Sequence, residues 1–491
     1  MIHERALEER LASLEAARAW SPRVVAKLEG HIRAADDEAL YRINPLTYAS
    51  DKNLSEDEAI DLCLFATSFG LMRMDWLLLC PQCSCVVESF GSLNGVMNQY
   101  RCALCQKEYE AVLDDYIAVT FTVHPEVREI AFHRPKELSA WDRFFKVSGS
   151  PEGRMPDGTR FVDVQMSLTK SVSDLPPGET TEIPVEAEAG IVLGVTVEGR
   201  AAIFCPLEGD SVADPQILNV VFGEKVTKHT VKKLTPGAVS VRVRNDTDEL
   251  GTFCLAILPP GFEFGHLPIR FLPFLTGKRL LTTQTFRDLF HSEVIRASDG
   301  IGVRDITLLF TDLKGSTALY EAIGDLNAFA LVRQHFDRLQ EVTVRHGGAV
   351  VKIMGDAVMA TFPEGQAAVG AAFEMLSEID AFNRNQPSQP LVLKIGVHRG
   401  ASIAVTLNER LDYFGQTVNI AARVQALADA NEIYLSQDIY EVSGVAEKVP
   451  AAFSVERRLA HLKGIHENMP VYRVASRGGT EAAATGQSTD V

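Results

Sequence analysis

Hydrophobic and polar positions change period along the chain, and each change marks an element. Residues 3–70 follow helical spacing. The stretch 3–17 is charged and rich in Ala and Leu. Ser55 and Glu58 form a capping box ahead of residues 59–71, whose apolar face is Ile60, Leu64, Ala66 and Phe69. Between residues 160 and 260 the period shortens to two. Thr181, Ile183 and Val185 alternate with polar neighbours, as do Val239, Val241 and Val243, and Pro-Gly pairs at 177–178 and 236–237 punctuate the runs. That pattern predicts half-buried strands in a β-sandwich or jelly roll. Residues 277–297 return to helical spacing, with Phe286, Leu289, Phe290 and Val294 on one face, and Ser298-Asp299-Gly300 breaks the run.

From Arg304 to Val474 strands and helices alternate. Residues 306–310 read as a buried strand and residues 326–346 as a long helix closed by Gly347-Gly348. Residues 349–354 and 357–362 read as a hairpin with Gly355-Asp356 at its tip. A helix over 366–382 follows. Residues 391–398 and 401–406 are expected to form a hairpin around Arg399-Gly400, ahead of a helix over 416–428 and a strand over 432–436. The sum is an α+β domain with a largely antiparallel sheet. The tail 477–491 is small and polar and predicts disorder.

The expected layout is therefore a multidomain α+β chain. It has a helical region over 1–75, a cysteine-bearing module over 76–134, a β-rich, sandwich-like domain over 135–270, a connecting helix and linker over 271–300, and a catalytic-type domain over 301–476. The chain has 491 residues and a formal net charge of −17, so no overall basic field draws it to nucleic acid or an anionic membrane. No apolar run approaches the roughly 18–20 residues of a membrane span. The N-terminus is charged from its first residues, with no signal-peptide core. These features predict a soluble, cytoplasmic protein.

Eight cysteines in so long a chain are not a disulfide scaffold. Cys80-Pro-Gln-Cys83 and Cys102-Ala-Leu-Cys105, with eighteen residues between the pairs, have the spacing of a zinc ribbon. One structural Zn2+ on Cys80, Cys83, Cys102 and Cys105 is expected. Such a closed site carries no catalysis. Cys85 is a spare thiol able to compete as a ligand. Cys63, Cys205 and Cys254 read as plain buried thiols.

The densest chemistry lies in Phe-Thr-Asp-Leu-Lys-Gly-Ser-Thr at 310–317 and Lys-Ile-Met-Gly-Asp at 352–356. Asp312 follows an apolar strand, and Gly315, Ser316 and Thr317 open a helix. A strand, a small-residue turn and a helix N-terminus make a place for phosphate, because free backbone N–H groups point at it. Asp356 at a hairpin tip supplies a second carboxylate, and two carboxylates meeting at a phosphate need a metal between them. Farther on, Asn419 and Arg423 stand four residues apart on one helix face, able to orient a sugar oxygen and clamp a phosphoryl group.

These motifs resemble the catalytic domain of the class III nucleotidyl cyclases, the adenylate and guanylate cyclases, over residues 304–474. The resemblance implies an α/β sandwich of ferredoxin-like topology. It makes Asp312 and Asp356 the ligands of two Mg2+ or Mn2+ per active site. Lys352 falls where the family places the lysine that reads adenine, and Asp412 where it places the acidic partner of the adenine amino group. Asn419 and Arg423 fall on the transition-state pair, and Lys463, in Leu-Lys-Gly, on the polyphosphate lysine. A lysine donor and a carboxylate acceptor suit adenine, whereas guanine turns a carbonyl to that edge. The resemblance further implies a homodimer whose two active sites are each shared between chains. It also extends to the uncharacterised, zinc-ribbon-containing region that precedes this domain in some bacterial cyclases.

The resulting expectation is an adenylate cyclase in signal transduction, turning ATP into 3′,5′-cyclic AMP and pyrophosphate. Residues 1–300 would be regulatory and would answer to an unknown ligand or protein. A guanylate cyclase is the second reading. A zinc-ribbon scaffold whose inactive cyclase-like domain binds nucleotide or dimerises is the third. The ribbon has few basic residues, Arg101 and Lys107, against several acidic ones, which disfavours nucleic acid as its partner.

Overall fold

A computed structural model of the chain describes all residues except 197–200, 224–226, 231–233, 263–266, 292, 294, 296–299, 387–389, 466–467 and 478–491. The expected helical position Val294, the break at Ser298-Asp299 and the tail beyond 477 lie outside the described residues. The chain divides into two compact units, residues 1–111 with 116–275, and residues 112–115 with 276–491.

The first unit begins with helices Glu4–Ala17, Val24–Ala34, Pro45–Lys52 and Glu56–Ser68. Ser55 caps the last of these by accepting from Glu58 N at 3.2 Å. The reciprocal half of the box is missing, because the Glu58 carboxylate accepts from Ser21 N instead. Strand Met72–Leu79 follows and is the middle of a three-stranded antiparallel sheet with Val86–Phe90 and Ile117–Val123. Ile117–Val123 is buried throughout.

Two four-stranded sheets form the sandwich expected from the period-two stretch. One runs Ala201–Pro206, Ile191–Thr196, Gly251–Leu258, Thr169–Leu175, and the other Thr227–Thr230, Val212–Phe222, Gly237–Asn245, Thr180–Ala187. Val239, Val241 and Val243 face the core between them, with Ile183, Val220 and Phe253. The first sheet is buried on its other side too. Leu193, Val195, Cys254 and Leu258 pack there against Phe161, Leu104 and the cysteines of the ribbon.

The second unit opens with two short helices, α1 (Gly277–Leu281) and α2 (Gln284–Leu289), where the sequence predicts one. Thr282 ends α1, and among the described positions of the predicted apolar face only Phe286 is fully buried. Then come β1 (Ile301–Leu313), α3 (Ser316–Ile323), α4 (Asp325–Arg345), β2 (Ala349–Met354), β3 (Ala357–Phe362), α5 (Gly365–Asn385), β4 (Leu393–Leu407), β5 (Arg410–Phe414), α6 (Gln416–Ala426), β6 (Ile433–Ser436), α7 (Gln437–Tyr440), β7 (Phe453–Ala460) and β8 (Met469–Ser476). The sheet order is β2-β3-β1-β4-β6-β8-β7, with β5 paired to β4. The run β1-α-β2-β3-α5-β4 in order 2-3-1-4 is ferredoxin-like. Leu331, Val332, Leu339 and Val342 of α4 and Ala368, Ala372, Met375 and Ile379 of α5 pack on one face of this sheet. Gly347, at φ +68°, ends α4 as the sequence predicts.

One predicted element is different. Arg399-Gly400 is not a turn, because β4 runs through it without a break, and Gly400 pairs with Ile306. Glycine is used there because a Cβ would meet Thr417 Oγ1 of α6 at 2.9 Å. The real hairpin joins β4 to β5 through Asn408-Glu409, both at positive φ. Earlier in β4, a Cβ on Gly396 would meet the α6 backbone at 2.2 Å from Gln425 N. Gly396→Ala is therefore expected to push α6 off the sheet and cost about 1–3 kcal/mol, read as a lower urea midpoint. Gly302→Ala, whose Cβ would find nothing nearer than Val112 Cγ2 at 4.0 Å, should leave the midpoint almost unchanged.

Candidate functional site

Asp312 is the next-to-last residue of β1 and faces Lys394 of β4 in register, with its carboxylate 2.9 Å from Lys394 Nζ. On the other side of β1 the last ladder pair is Thr311 with Val358. One more step puts Asp312 beside Ala357, next to the hairpin tip. That tip is the predicted one: Met354 and Ala357 close it, and Gly355 takes φ +65°. Asp356 follows, and its Oδ2 is buried without a hydrogen-bond partner. His335 of α4 is fully buried, and burial pushes its pKa down to about 4, against the opposing pull of Asp356. Burial thus disfavours a charge on this imidazole.

After Asp312 the chain turns at Gly315, φ +77°, which is the N-cap of α3 and leaves that end without a side-chain cap. Ser316 and Thr317 open the helix, so its first N–H groups face outward at the end of β1. The neighbouring Lys314 is held by an ion pair with Asp429.

Asp356 Oδ2 is an acceptor shut away from water and given no donor, the environment a divalent cation completes. Asp312 already has a positive charge beside it in Lys394. The residues present thus fit one or more hard cations with oxygen ligands.

Lys352 and Asp412 come together on β2 and β5. Lys352 Nζ lies 2.6 Å from Asp412 Oδ2, and Asp412 Oδ1 accepts from Tyr413 N at 2.8 Å. The Asp412 side chain is 10% exposed and that of Lys352 37%. A bulge between Val350 and Lys352 breaks the β2 register and re-aims the lysine. Lys352 and Asp356 share one hairpin, yet Lys352 bonds Asp412 while Asp356 sits at the tip beside β1.

Asn419 is exposed and Arg423 half-buried on α6. The Arg423 guanidinium lies against the Lys463-Gly464 turn, 3.5–3.8 Å from where a Cβ on Gly464 would stand. Gly464 is at φ +78°, so glycine serves both the turn and the close approach. Lys463 itself is exposed. Among the described residues no hydrogen bond or ion pair joins Asp312 or Asp356 to Lys352, Asp412, Asn419 or Arg423. Lys352 is bonded to Asp412, and Asp312 to Lys394, so the residues fall into two half-constellations by their bonding.

Sequence reasoning missed Lys394, His335, Gln284 and Arg287. Their partners come from neighbouring strands or from a helix laid over the sheet, and no local motif announces them.

In the first unit, Cys80, Cys83, Cys102 and Cys105 gather so that their sulfurs all lie within 4.8 Å of one another, three buried and Cys105 half-buried. Ser84 and Gln106, each directly after the second cysteine of its pair, turn the knuckles at positive φ. Cys85 stays outside and takes a contact from Gln165 Nε2 at 3.5 Å. Four sulfurs this close repel as thiolates unless a cation stands among them. The cluster fits a structural zinc. Cys63, Cys205 and Cys254 are buried free thiols, and burial pushes Cys63 and Cys254 up to about 12.

Comparison with known proteins divides the chain between residues 288 and 302, later than the boundary of the compact units at 275. Residues 302–476 match the family model described as the adenylate and guanylate cyclase catalytic domain. Residues 7–288 match a family of unknown function, DUF5939. Among curated relatives, adenylate cyclase 2 of Rhizobium meliloti (strain 1021) is 30% identical over 145 residues, 27% of this chain and 40% of that protein. An adenylate cyclase of Anabaena cylindrica is 28% identical over 189 residues, 35% of this chain and 37% of that protein. The chain thus spans less than half the length of these relatives. Among solved structures, the adenylyl cyclase CyaB from P. aeruginosa is 21% identical, covering 36% of this chain and 96% of that one at a TM-score of 0.32.

Proposed function

This chain belongs to the family of unknown function DUF5939, and we propose that the class III adenylate/guanylate cyclase domain it carries is an adenylate cyclase. The observation that carries the choice of adenine is the Lys352–Asp412 pair. Asp412 offers an acceptor held in place by Tyr413 N, and Lys352 a donor whose stem is half-buried. Adenine presents an exocyclic amine and a ring-nitrogen acceptor at one edge, which these two groups answer. Guanine would set its carbonyl against a carboxylate.

Asp312 and Asp356 would hold two Mg2+ or Mn2+. When bound, the ions lower the pKa of the ribose 3′-hydroxyl and neutralise phosphate charge. The 3′-oxygen forms a bond to the α-phosphorus, its proton passes to solvent, and the bond to the bridging oxygen breaks, releasing pyrophosphate with the electron pair. The open N–H groups at Gly315, Ser316 and Thr317 bind phosphate oxygens. Asn419 orients the ribose. Arg423 meets the charge that builds on the α-phosphoryl group, and Lys463 binds the outgoing polyphosphate.

The two half-constellations of one chain support a homodimer in which each site takes Asp312 and Asp356 from one chain and Lys352, Asp412, Asn419 and Arg423 from the other. A band of exposed apolar side chains accompanies the second half: Ile353, Met354, Ile403, Leu407 and Phe414, each 40–64% exposed. Such a band suits burial against a second copy. Residues 1–300 would be the regulatory region, steadied by one structural zinc and answering to a ligand or protein of unidentified chemistry.

Product analysis of the full chain, with ATP and separately GTP, in Mg2+ and in Mn2+, tests this reading. Cyclic AMP from ATP alone is expected. Asp312→Ala should abolish it, and Arg423→Ala should slow it about 10²–10³-fold. Cyclic GMP as the main product would overturn the reading of Lys352 and Asp412. Mixing inactive Asp312→Ala chains with Arg423→Ala chains should restore activity at one site per dimer, and no recovery would sink the shared site. Metal analysis should find one zinc per chain, lost in Cys83→Ser together with several degrees of melting temperature.

A further inference from the structure

Lys352 and Asp412 stand on the two strands that the sheet supports least. β2 is its edge, and β5 pairs only with the far end of β4. An edge strand offers unpaired backbone groups, and its register is weakly held. Here α2 takes up those groups. Gln284 Oε1 accepts from Val350 N at 2.8 Å, at the bulge two residues before Lys352. Arg287 Nη1 donates to Leu411 O at 2.9 Å, on the residue before Asp412. Arg287 Nε also donates to Leu281 O at 2.8 Å, and its guanidinium carbon lies 5.5 Å from the ring centroid of Tyr413, the residue after Asp412.

Gln284 and Arg287 are three residues apart and share a face of α2. The opposite anchor is Phe286, fully buried. One short helix thereby grips one backbone atom in each of the two strands, close to each of the two groups assigned to the purine. Among the described residues no hydrogen bond joins either side chain to the 2.6 Å Lys352–Asp412 pair itself. Their effect passes through the positions of the two strands, with the Arg287 guanidinium also set against the Tyr413 ring.

We propose that Gln284 and Arg287 are positioning residues that fix the separation of Lys352 and Asp412 and thereby set the affinity for adenine and its preference over guanine. The inference rests on reading Lys352 and Asp412 as the purine-recognition pair. It makes the segment before the catalytic domain a determinant of nucleotide selection, with no role in the phosphoryl chemistry.

The test measures ATP and GTP binding by calorimetry on the full-length protein, alongside kcat and KM for each nucleotide. Loss of one positioning hydrogen bond corresponds to about 3- to 10-fold. Arg287→Ala and Gln284→Ala are expected to weaken ATP binding and raise its KM by that factor. They should lower the ATP-over-GTP ratio of kcat/KM similarly and leave kcat within about twofold. Gln284→Glu keeps the acceptor for Val350 N and should restore the wild-type KM. A fall in kcat with an unchanged ATP-over-GTP ratio would mark a merely structural role and overturn the proposal, as would unchanged binding in both alanine variants. Lys352→Ala is measured beside them. If it shifts the ratio and the α2 variants do not, only the positioning role fails. If it leaves the ratio unchanged, the reading of the purine pair fails with it.

Discussion

The second unit depends on the register of one strand. β1 is paired on both sides, to β3 and to β4, and a slip of one residue against either would turn every side chain to the opposite face. That register sets Asp312 opposite Lys394 and carries it to the end of the sheet where the β2–β3 hairpin presents Asp356. It also points Leu309 and Leu313 into the core under α4 and α5, so the same register serves the core and the carboxylates. The chemistry at the strand end is held in place by apolar burial several residues away.

Three carboxylates on this frame are in three electrostatic states. Asp412 is shielded from water and answered twice, by Lys352 and by its neighbour's N–H. Among the described residues Asp312 is answered by a lysine, and Asp356 Oδ2 by no donor. A buried acceptor without a donor is costly in a way that a paired one is not. The Lys352–Asp412 pair is thus satisfied within the chain, whereas Asp356 Oδ2 has no hydrogen-bond partner among the described residues.

What the sequence made legible was local. The capping Ser55, the αL Gly347, the Gly355-Asp356 tip and the i,i+4 pair Asn419/Arg423 each follow from a few adjacent residues, and so do the two cysteine knuckles. What escaped depends on distant parts of the chain. Gly400 looked like a turn because glycine favours turns, but it marks the close passage of Thr417. The true turn, Asn408-Glu409, carries no glycine. The bridge over 277–297 looked like one helix because its spacing is helical, and Thr282 interrupts it. Lys394, Gln284 and Arg287 take their meaning from strands found only after the sheet is assembled.

The same dependence on distant chain explains residues 112–115, which belong to the second unit although the sequence on both sides of them belongs to the first. Leu113 N donates to Gly302 O at 3.0 Å, and Leu113 O accepts from Lys278 N at 2.8 Å. Asp114 accepts from Arg304 N at 2.6 Å and pairs with Lys278 Nζ at 3.2 Å, both side chains at most 15% exposed. These four residues therefore tie the start of β1 to α1, and α1 leads through Thr282 and Thr283 to α2 and its hold on the strands of Lys352 and Asp412. The chain passes between its two units at three peptide bonds, after residues 111, 115 and 275. Two of those bonds flank the tie and the third leads directly into α1.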